Sequence, residues 1–79
     1  MNEKMKRTIR KVVELLFELQ ETDPDSEMYF GIGRYHCNLR VQDGNGNIQW
    51  FSTSSIVEGD KPLEDAPAEI EKIINGVAS

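Results

Sequence analysis

The chain lacks the features that define several classes of protein. It has a single cysteine, Cys37, a single histidine, His36, and no apolar run longer than three residues. One cysteine cannot build a disulfide scaffold, and apolar runs this short cannot cross a bilayer. The charged, amphipathic N-terminal stretch also differs from a signal peptide, so we expect a cytoplasmic protein with a reduced thiol and no membrane partner.

The 79 residues suffice for one small acidic domain. Their formal net charge is −5, and their apolar residues fall into periodic clusters, which is typical of a folded chain. Half of so short a chain could not bury a core of its own. We therefore expect residues 1–79 to form a single domain.

The charge is distributed unevenly along the chain. Residues 1–11 hold five basic side chains and one acidic one, a balance of +4, whereas the other residues hold four basic and 13 acidic ones, a balance of −9. The five basic residues are Lys4, Lys6, Arg7, Arg10 and Lys11. They are typical of a solvated helix face, and they are the candidate contacts if the chain binds nucleic acid. The acidic body disfavours that alternative, because its approach to a polyanion costs electrostatic work.

Residues 3–20 have the apolar spacing of an amphipathic helix. Apolar side chains recur there at intervals of three and four residues. They are Met5, Ile9, Val12, Leu16 and Leu19. A second helix with the same pattern is predicted over residues 66–76, with Asp65 as its cap and Pro67 in its first turn.

The segment between the helices, residues 28–55, predicts antiparallel β structure. Apolar and polar residues alternate strictly over residues 35–42, as in a strand with one buried face. Upstream, the apolar residues have the opposite parity, so the chain must bulge or turn at Gly31 or Gly33. The segment is therefore either a hairpin with one bent strand or a three-stranded meander.

Residues 43–47, with the sequence Asp-Gly-Asn-Gly-Asn, predict the turn of a β-hairpin, since they accept positive φ. A two-residue turn fits this sequence in either of two positions. Both positions place Ile48 and Trp50 on the buried face of the sheet and turn Gln49 and Phe51 outward.

These elements together predict an α+β fold. The expected architecture is a small two-layer domain with the order helix, antiparallel hairpin or meander, helix. Both helices are expected to pack on one face of the sheet, with the other face turned outward.

No motif in the chain indicates catalysis, a metal site or a cofactor. Residues 43–54 begin like a calcium loop, but Ile48 and Ser54 stand where a glycine and a bidentate glutamate belong. His36 and Cys37 are adjacent, so in a strand they point to opposite faces and cannot act as a pair. A domain of this size also has little apolar material left to enclose a dry pocket, and we expect that it is not an enzyme.

The candidate functional surface is the outward face of the hairpin. By parity it carries an aromatic side chain among cationic and amide donors, the composition of a protein-interface hot spot. The candidate contacts are Arg34, His36, Asn38, Arg40, Gln49 and Phe51. An ordinary polar sheet face has a similar composition and is the alternative interpretation.

The sequence favours a small acidic, non-enzymatic interaction module that occupies the surface of an unidentified protein partner. Its size and charge fit the compact inhibitors and adaptors that phages and mobile elements encode, although no motif supports that assignment. One alternative is a nucleic-acid-binding protein that uses the basic N-terminal helix and the arginine-bearing sheet face. The other is a homodimer formed through the broad apolar arc of the first helix and a free edge strand.

Overall fold

The computed structural model describes residues 2–34, 36–53 and 59–78, which form a β-sheet flanked in sequence by two helices. The helices are α1 (Glu3–Thr22) and α2 (Ala66–Ala78). The strands are β1 (Glu27–Ile32), β2 (Cys37–Gln42), β3 (Ile48–Ser52) and the short β4 (Lys61–Pro62). A 3-10 turn over Leu63–Asp65 leads into α2. The predicted α+β fold is confirmed.

The described residues form a sheet of four strands in the order β1-β2-β3-β4. The first three form an antiparallel meander, so β1 and β2 are two separate strands and the chain turns between Ile32 and Cys37. β4 pairs with β3 in parallel, which makes the sheet mixed. It lies between the segments predicted as β structure and as the second helix, and the sequence predicts no strand there because two residues are too few to show a period. Tyr35 and residues 54–58 lie outside the described residues, and Tyr35, Ser54 and Ser55 belong to the segment predicted as β structure.

Both ends of α1 are stabilised by hydrogen bonds to its terminal backbone groups. Asn2 Oδ1 accepts from the N–H of Met5 at 2.8 Å and caps the first turn. At the other end the N–H of Asp23 donates to the carbonyl of Leu19 at 2.7 Å. Pro24 follows and disfavours a further turn, so α1 ends two residues later than the apolar spacing predicts.

α2 starts at the predicted residue, Ala66, and runs to Ala78. Asp65, predicted as its cap, is instead the last residue of the 3-10 turn. Within the described ranges, neither helix is long and apolar enough to span a membrane.

The core lies between the two helices and one face of the sheet. Both helices, β2, β3 and the 3-10 turn contribute to it. Its members are Val12, Leu15, Leu16, Leu19, Cys37, Leu39, Val41, Phe51, Leu63, Ala66, Ile70 and Ile74. Because both helices bury their apolar stripes against the same strand residues, they cover one face of the sheet, as predicted. β1 adds the half-buried Met28 and Phe30 at the margin of this core.

The hairpin between β2 and β3 has a three-residue loop, and the predicted two-residue turn is wrong. The N–H of Asp43 donates to the carbonyl of Asn47 at 3.0 Å, and the N–H of Gly46 donates to the carbonyl of Asp43 at 3.0 Å. Gly46 has a φ of 89°, the left-handed position that a three-residue hairpin needs after a type I turn. Asp43 Oδ1 also accepts from the N–H groups of Asn45 and Asn47, both at 2.9 Å.

This loop length reverses which face each residue of β3 occupies. Leu39 lies opposite Phe51, and Arg40 lies opposite Trp50. Phe51 is therefore in the core at 1% exposure, and Trp50 is on the other face at 51% exposure. The prediction that Ile48 and Trp50 are buried, and that Phe51 faces outward, is wrong.

Gln49 is the second predicted contact that leaves the outward face. It lies opposite Val41 on the helix side of the sheet and is half-buried. Its Oε1 accepts a hydrogen bond from Lys61 Nζ at 2.8 Å, which ties β3 to the neighbouring β4. The odd number of loop residues accounts for this correction as well, because a shift of one residue turns every side chain of a strand over.

A buried carboxylate connects the end of α1 to the hairpin loop. Asp23 Oδ2 accepts from the N–H of Gly44 at 2.8 Å, and Asp23 is 9% exposed. A Cβ at Gly44 would lie 2.6 Å from Asp23 Oδ1. A side chain at position 44 would therefore displace the carboxylate of Asp23, whose hydrogen bond stabilises the loop that sets the register of β3.

Candidate functional site

The face of the sheet turned away from the helices carries three rows of residues, with one residue each from β1, β2 and β3. We call it the outer face. Its rows are Glu27–Gln42–Ile48, Tyr29–Arg40–Trp50 and Gly31–Asn38–Ser52. The middle row, which we call the aromatic row, places two large rings on either side of one arginine.

The guanidinium of the aromatic row lies between its two rings. Arg40 Cζ is 5.6 Å from the centroid of the Tyr29 ring and 5.7 Å from that of the Trp50 ring, within the range of cation–π attraction. Arg40 Nη2 donates to Gln42 Oε1 at 2.9 Å, which holds the guanidinium along the strand. Tyr29 is 68% exposed. Both rings therefore present much of their surface to solvent from positions fixed by paired strands.

A shallow depression of about 370 Å³ adjoins the aromatic row. It is lined by the three residues of the row together with Gly31, Asn38 and Leu39. A Cβ at Gly31 would meet no heavy atom within 4 Å, so the space above this residue is open. The depression can accept one side chain of a binding partner between the rings and Asn38.

The structure brings together only part of the predicted contact set. Asn38 and Arg40 are neighbours on the outer face, as predicted. Arg34 and His36 are exposed, but they lie in the connection between β1 and β2, at the end of the outer face. The imidazole of His36 packs on Gly33, where a Cβ would lie 2.9 Å from His36 Cε1.

Sequence reasoning missed the two aromatic residues of the site. Tyr29 could have been found from parity, since it alternates with Met28 and Phe30, which point to the helices. Trp50 could be found only with the correct loop length, and the signal for that length is Gly46 at the position of the bulge.

The basic residues of α1 are on the opposite side of the molecule from the aromatic row. α1 packs on the inner face of the sheet, and the sheet separates its exposed side chains from the outer face. Lys6 Nζ lies 3.4 Å from Glu3 Oε1, and Lys11 Nζ lies 3.7 Å from Glu71 Oε1. These exposed ion pairs are typical of a solvated helix face.

Among the described residues, two titratable groups have shifted pKa values, and each shift has a structural explanation. Burial raises the pKa of the Cys37 thiol, which keeps it protonated and poorly nucleophilic at neutral pH. Burial also acts to raise the pKa of Asp43, but hydrogen bonds from the side chain of Asn47 and from the N–H groups of the loop outweigh it and lower that pKa. Neither group adjoins the depression, and the described part of the chain contains no cluster of three potential metal ligands.

The chain was compared with known protein families, with curated proteins and with solved structures, and none of them gives a significant match. The fold and this surface therefore define a structural class: a two-layer α+β domain with an aromatic row on the open face of its sheet.

Proposed function

We propose that this chain is a cytoplasmic, non-enzymatic interaction module that acts as an inhibitor or adaptor by covering the surface of a partner protein. The observation that carries the proposal is the aromatic row, in which an arginine lies between an exposed tyrosine and an exposed tryptophan. Tryptophan, tyrosine and arginine are the residues most enriched among interface hot spots.

The position of the row favours tight contact. Large aromatic side chains bury about 150–250 Å² each and have few rotatable bonds, so ordering them on binding costs little entropy. Trp50 and Arg40 lie on β3 and β2, which are paired on both sides, and Tyr29 lies on β1, which is paired with β2. A partner therefore meets a preorganised surface and not a mobile loop.

The shape and charge of the outer face indicate which kind of partner surface would fit it. The depression at Gly31 takes an apolar side chain, and the guanidinium of Arg40 accommodates a carboxylate or a backbone carbonyl beside it. The chain as a whole carries a net charge of −5. We therefore expect basic residues around the contact on the partner, because they would speed the encounter of the two proteins.

Binding to single-stranded nucleic acid is the second candidate, because exposed aromatic rings on an open sheet also stack on bases. The arrangement of charge favours protein instead. The aromatic row contains a single arginine, and the basic residues of α1 lie on the other side of the sheet. One nucleic-acid strand could therefore not contact the aromatic row and these basic residues together.

The test is affinity capture from a lysate of the source cell with tagged wild-type protein, Trp50→Ser, and Val77→Ser as the control. Val77 is an exposed apolar residue on α2, away from the outer face. Each lysate is divided, and one half is treated with nuclease. We expect wild type and Val77→Ser to retain one stoichiometric protein of different sequence after nuclease, and Trp50→Ser to lose it.

Other outcomes would count against the proposal. Partners that disappear after nuclease treatment would support the nucleic-acid alternative, which also requires binding to an oligonucleotide that weakens steeply with salt. A partner that Trp50→Ser retains would place the contact elsewhere. Capture of no protein by folded wild type would oppose an interaction role, and circular dichroism of each variant shows whether it is folded.

A further inference from the structure

A second surface, separate from the outer face, lies at the open edge of β1. The N–H of Gly33 donates to the carbonyl of His36 at 2.7 Å, and the register pairs Gly31 with Asn38. In an antiparallel ladder, alternate residues bond to the same neighbour. The backbone groups of the odd-numbered residues of β1 therefore form hydrogen bonds to β2. The N–H and C=O groups of Met28, Phe30 and Ile32 point the other way, outward at the free edge of the sheet.

An apolar groove of about 270 Å³ lies beside this edge, between α1 and β1. Its lining residues are Val13, Leu16, Phe17, Gln20, Met28 and Phe30. Two large apolar side chains near the edge are largely exposed, Phe17 at 69% and Ile32 at 63%. We call the outward backbone groups of β1 and this groove the β1 edge. An added extended strand can pair with such backbone groups at intervals of two residues.

The neighbouring side of α1 has a charge pattern that complements itself. Arg10, Val13, Phe17 and Glu21 follow one another at spacings of three, four and four, so they form one stripe along the helix. Two copies of this stripe in antiparallel orientation place Arg10 of each near Glu21 of the other. The same orientation places Val13 of each beside Phe17 of the other. Within the described chain, neither Arg10 nor Glu21 forms an ion pair.

We propose that the β1 edge binds a second copy of this chain, with the two β1 strands antiparallel across a twofold axis near Phe30. In this arrangement Phe30 of one copy lies opposite Phe30 of the other, so the outward N–H and C=O groups of the two strands form hydrogen bonds with each other. Met28 of each copy then lies opposite Ile32 of the other. The product is a continuous eight-stranded sheet. One surface patch supplies both halves of every contact, as an isologous interface requires.

The dimensions of the two layers agree with this arrangement. A helix with its side chains is about 10–12 Å wide, and strands lie about 4.8 Å apart. Two helices therefore cover four strands, and the helix layer of one copy continues into that of the next. The aromatic row of each copy lies on the opposite face of the sheet from α1, and the proposed register sets Tyr29 of one copy opposite Gly31 of the other on that face.

The experiment measures molar mass by light scattering and sedimentation equilibrium over a range of protein concentrations. The full chain has a mass of 9.0 kDa, and we expect twice that mass at high concentration. Phe17→Glu places a charge in the centre of the helix stripe, and we expect it to be monomeric. Val77→Glu, which changes an exposed apolar residue of α2, is the control and should dimerise as wild type does.

Charge reversal tests the orientation of the two copies. Arg10→Glu and Glu21→Arg each convert two attractive contacts of the dimer into repulsive ones, and each should weaken dimerisation roughly tenfold. The double variant restores opposite charges and should recover most of the wild-type dimerisation constant. A wild-type chain that stays monomeric at all concentrations would overturn the proposal. A dimer that survives Phe17→Glu, that is lost with Trp50→Ser, or that the double variant does not restore would also overturn it.

Discussion

The outer face and the β1 edge both expose aromatic residues, but different physical features make each of them a binding surface. On the outer face the central strands β2 and β3 are paired on both sides, and the side chains Tyr29, Arg40 and Trp50 offer the contacts. At the β1 edge the backbone itself is unpaired, and apolar side chains only flank it. The first arrangement suits a surface of any backbone shape, whereas the second suits a strand. This difference explains why we assign a foreign protein to one surface and an identical chain to the other.

The largest expected effect tests the register on which this comparison depends. Phe51→Ala removes a fully buried ring and is expected to cost about 3–5 kcal/mol of unfolding free energy. Trp50→Ala removes a half-exposed ring with one cation–π contact, and is expected to cost about 1 kcal/mol or less. Urea unfolding followed by circular dichroism measures both. If Trp50→Ala cost more than Phe51→Ala, Trp50 would belong to the core and the aromatic row would not exist.

Substitutions at two glycines test the outer face and the hairpin loop separately. Gly44→Ala forces the carboxylate of Asp23 away from the loop and weakens the hydrogen bond between them, so we expect a loss of about 1–3 kcal/mol. Gly31→Ala adds a methyl group to open space in a strand, and we expect a gain of up to about 1 kcal/mol. Thermal unfolding of the two variants checks the contrast. Equal effects at the two positions would mean that the close approach of Asp23 does not hold in solution.

The smallest expected effect concerns the pH dependence of the hairpin loop. Because the folded state lowers the pKa of Asp43, its contribution to stability is complete above the unfolded value of about 3.9 and is lost as the pH falls through the folded value. Asp43→Asn removes this dependence. The difference in unfolding free energy between wild type and Asp43→Asn should therefore be larger at neutral pH than at about pH 3. A difference that does not change with pH would show that the charge of Asp43 has no role in the loop.

The elements whose signal is local could be predicted from the sequence. The stripe of α1 and the alternation in β2 each repeat over several residues, so the α+β class and the placement of both helices on one face followed from them. β4 could not be predicted, because its two residues are placed by a parallel contact with β3 that leaves no pattern in the sequence.

The site was predicted less well than the fold, and a single cause explains most of the difference. One additional loop residue, with Gly46 at positive φ, moved Trp50 to the outer face and Phe51 to the core. Alternation identifies the two sets of residues in a strand, but it does not say which set is buried when both contain large apolar residues. In β3 both sets do, since Ile48 and Trp50 alternate with Phe51.

Acrylamide quenching of tryptophan fluorescence tests the exposure of the aromatic row most directly, because Trp50 is the only tryptophan of the chain. The folded protein should show quenching that is a substantial fraction of that in the urea-unfolded chain, with emission at wavelengths typical of a solvated indole. Dimerisation through the β1 edge should leave this accessibility unchanged. A folded protein whose tryptophan is shielded from acrylamide at concentrations where it is monomeric would contradict the account, because Trp50 would then belong to the core.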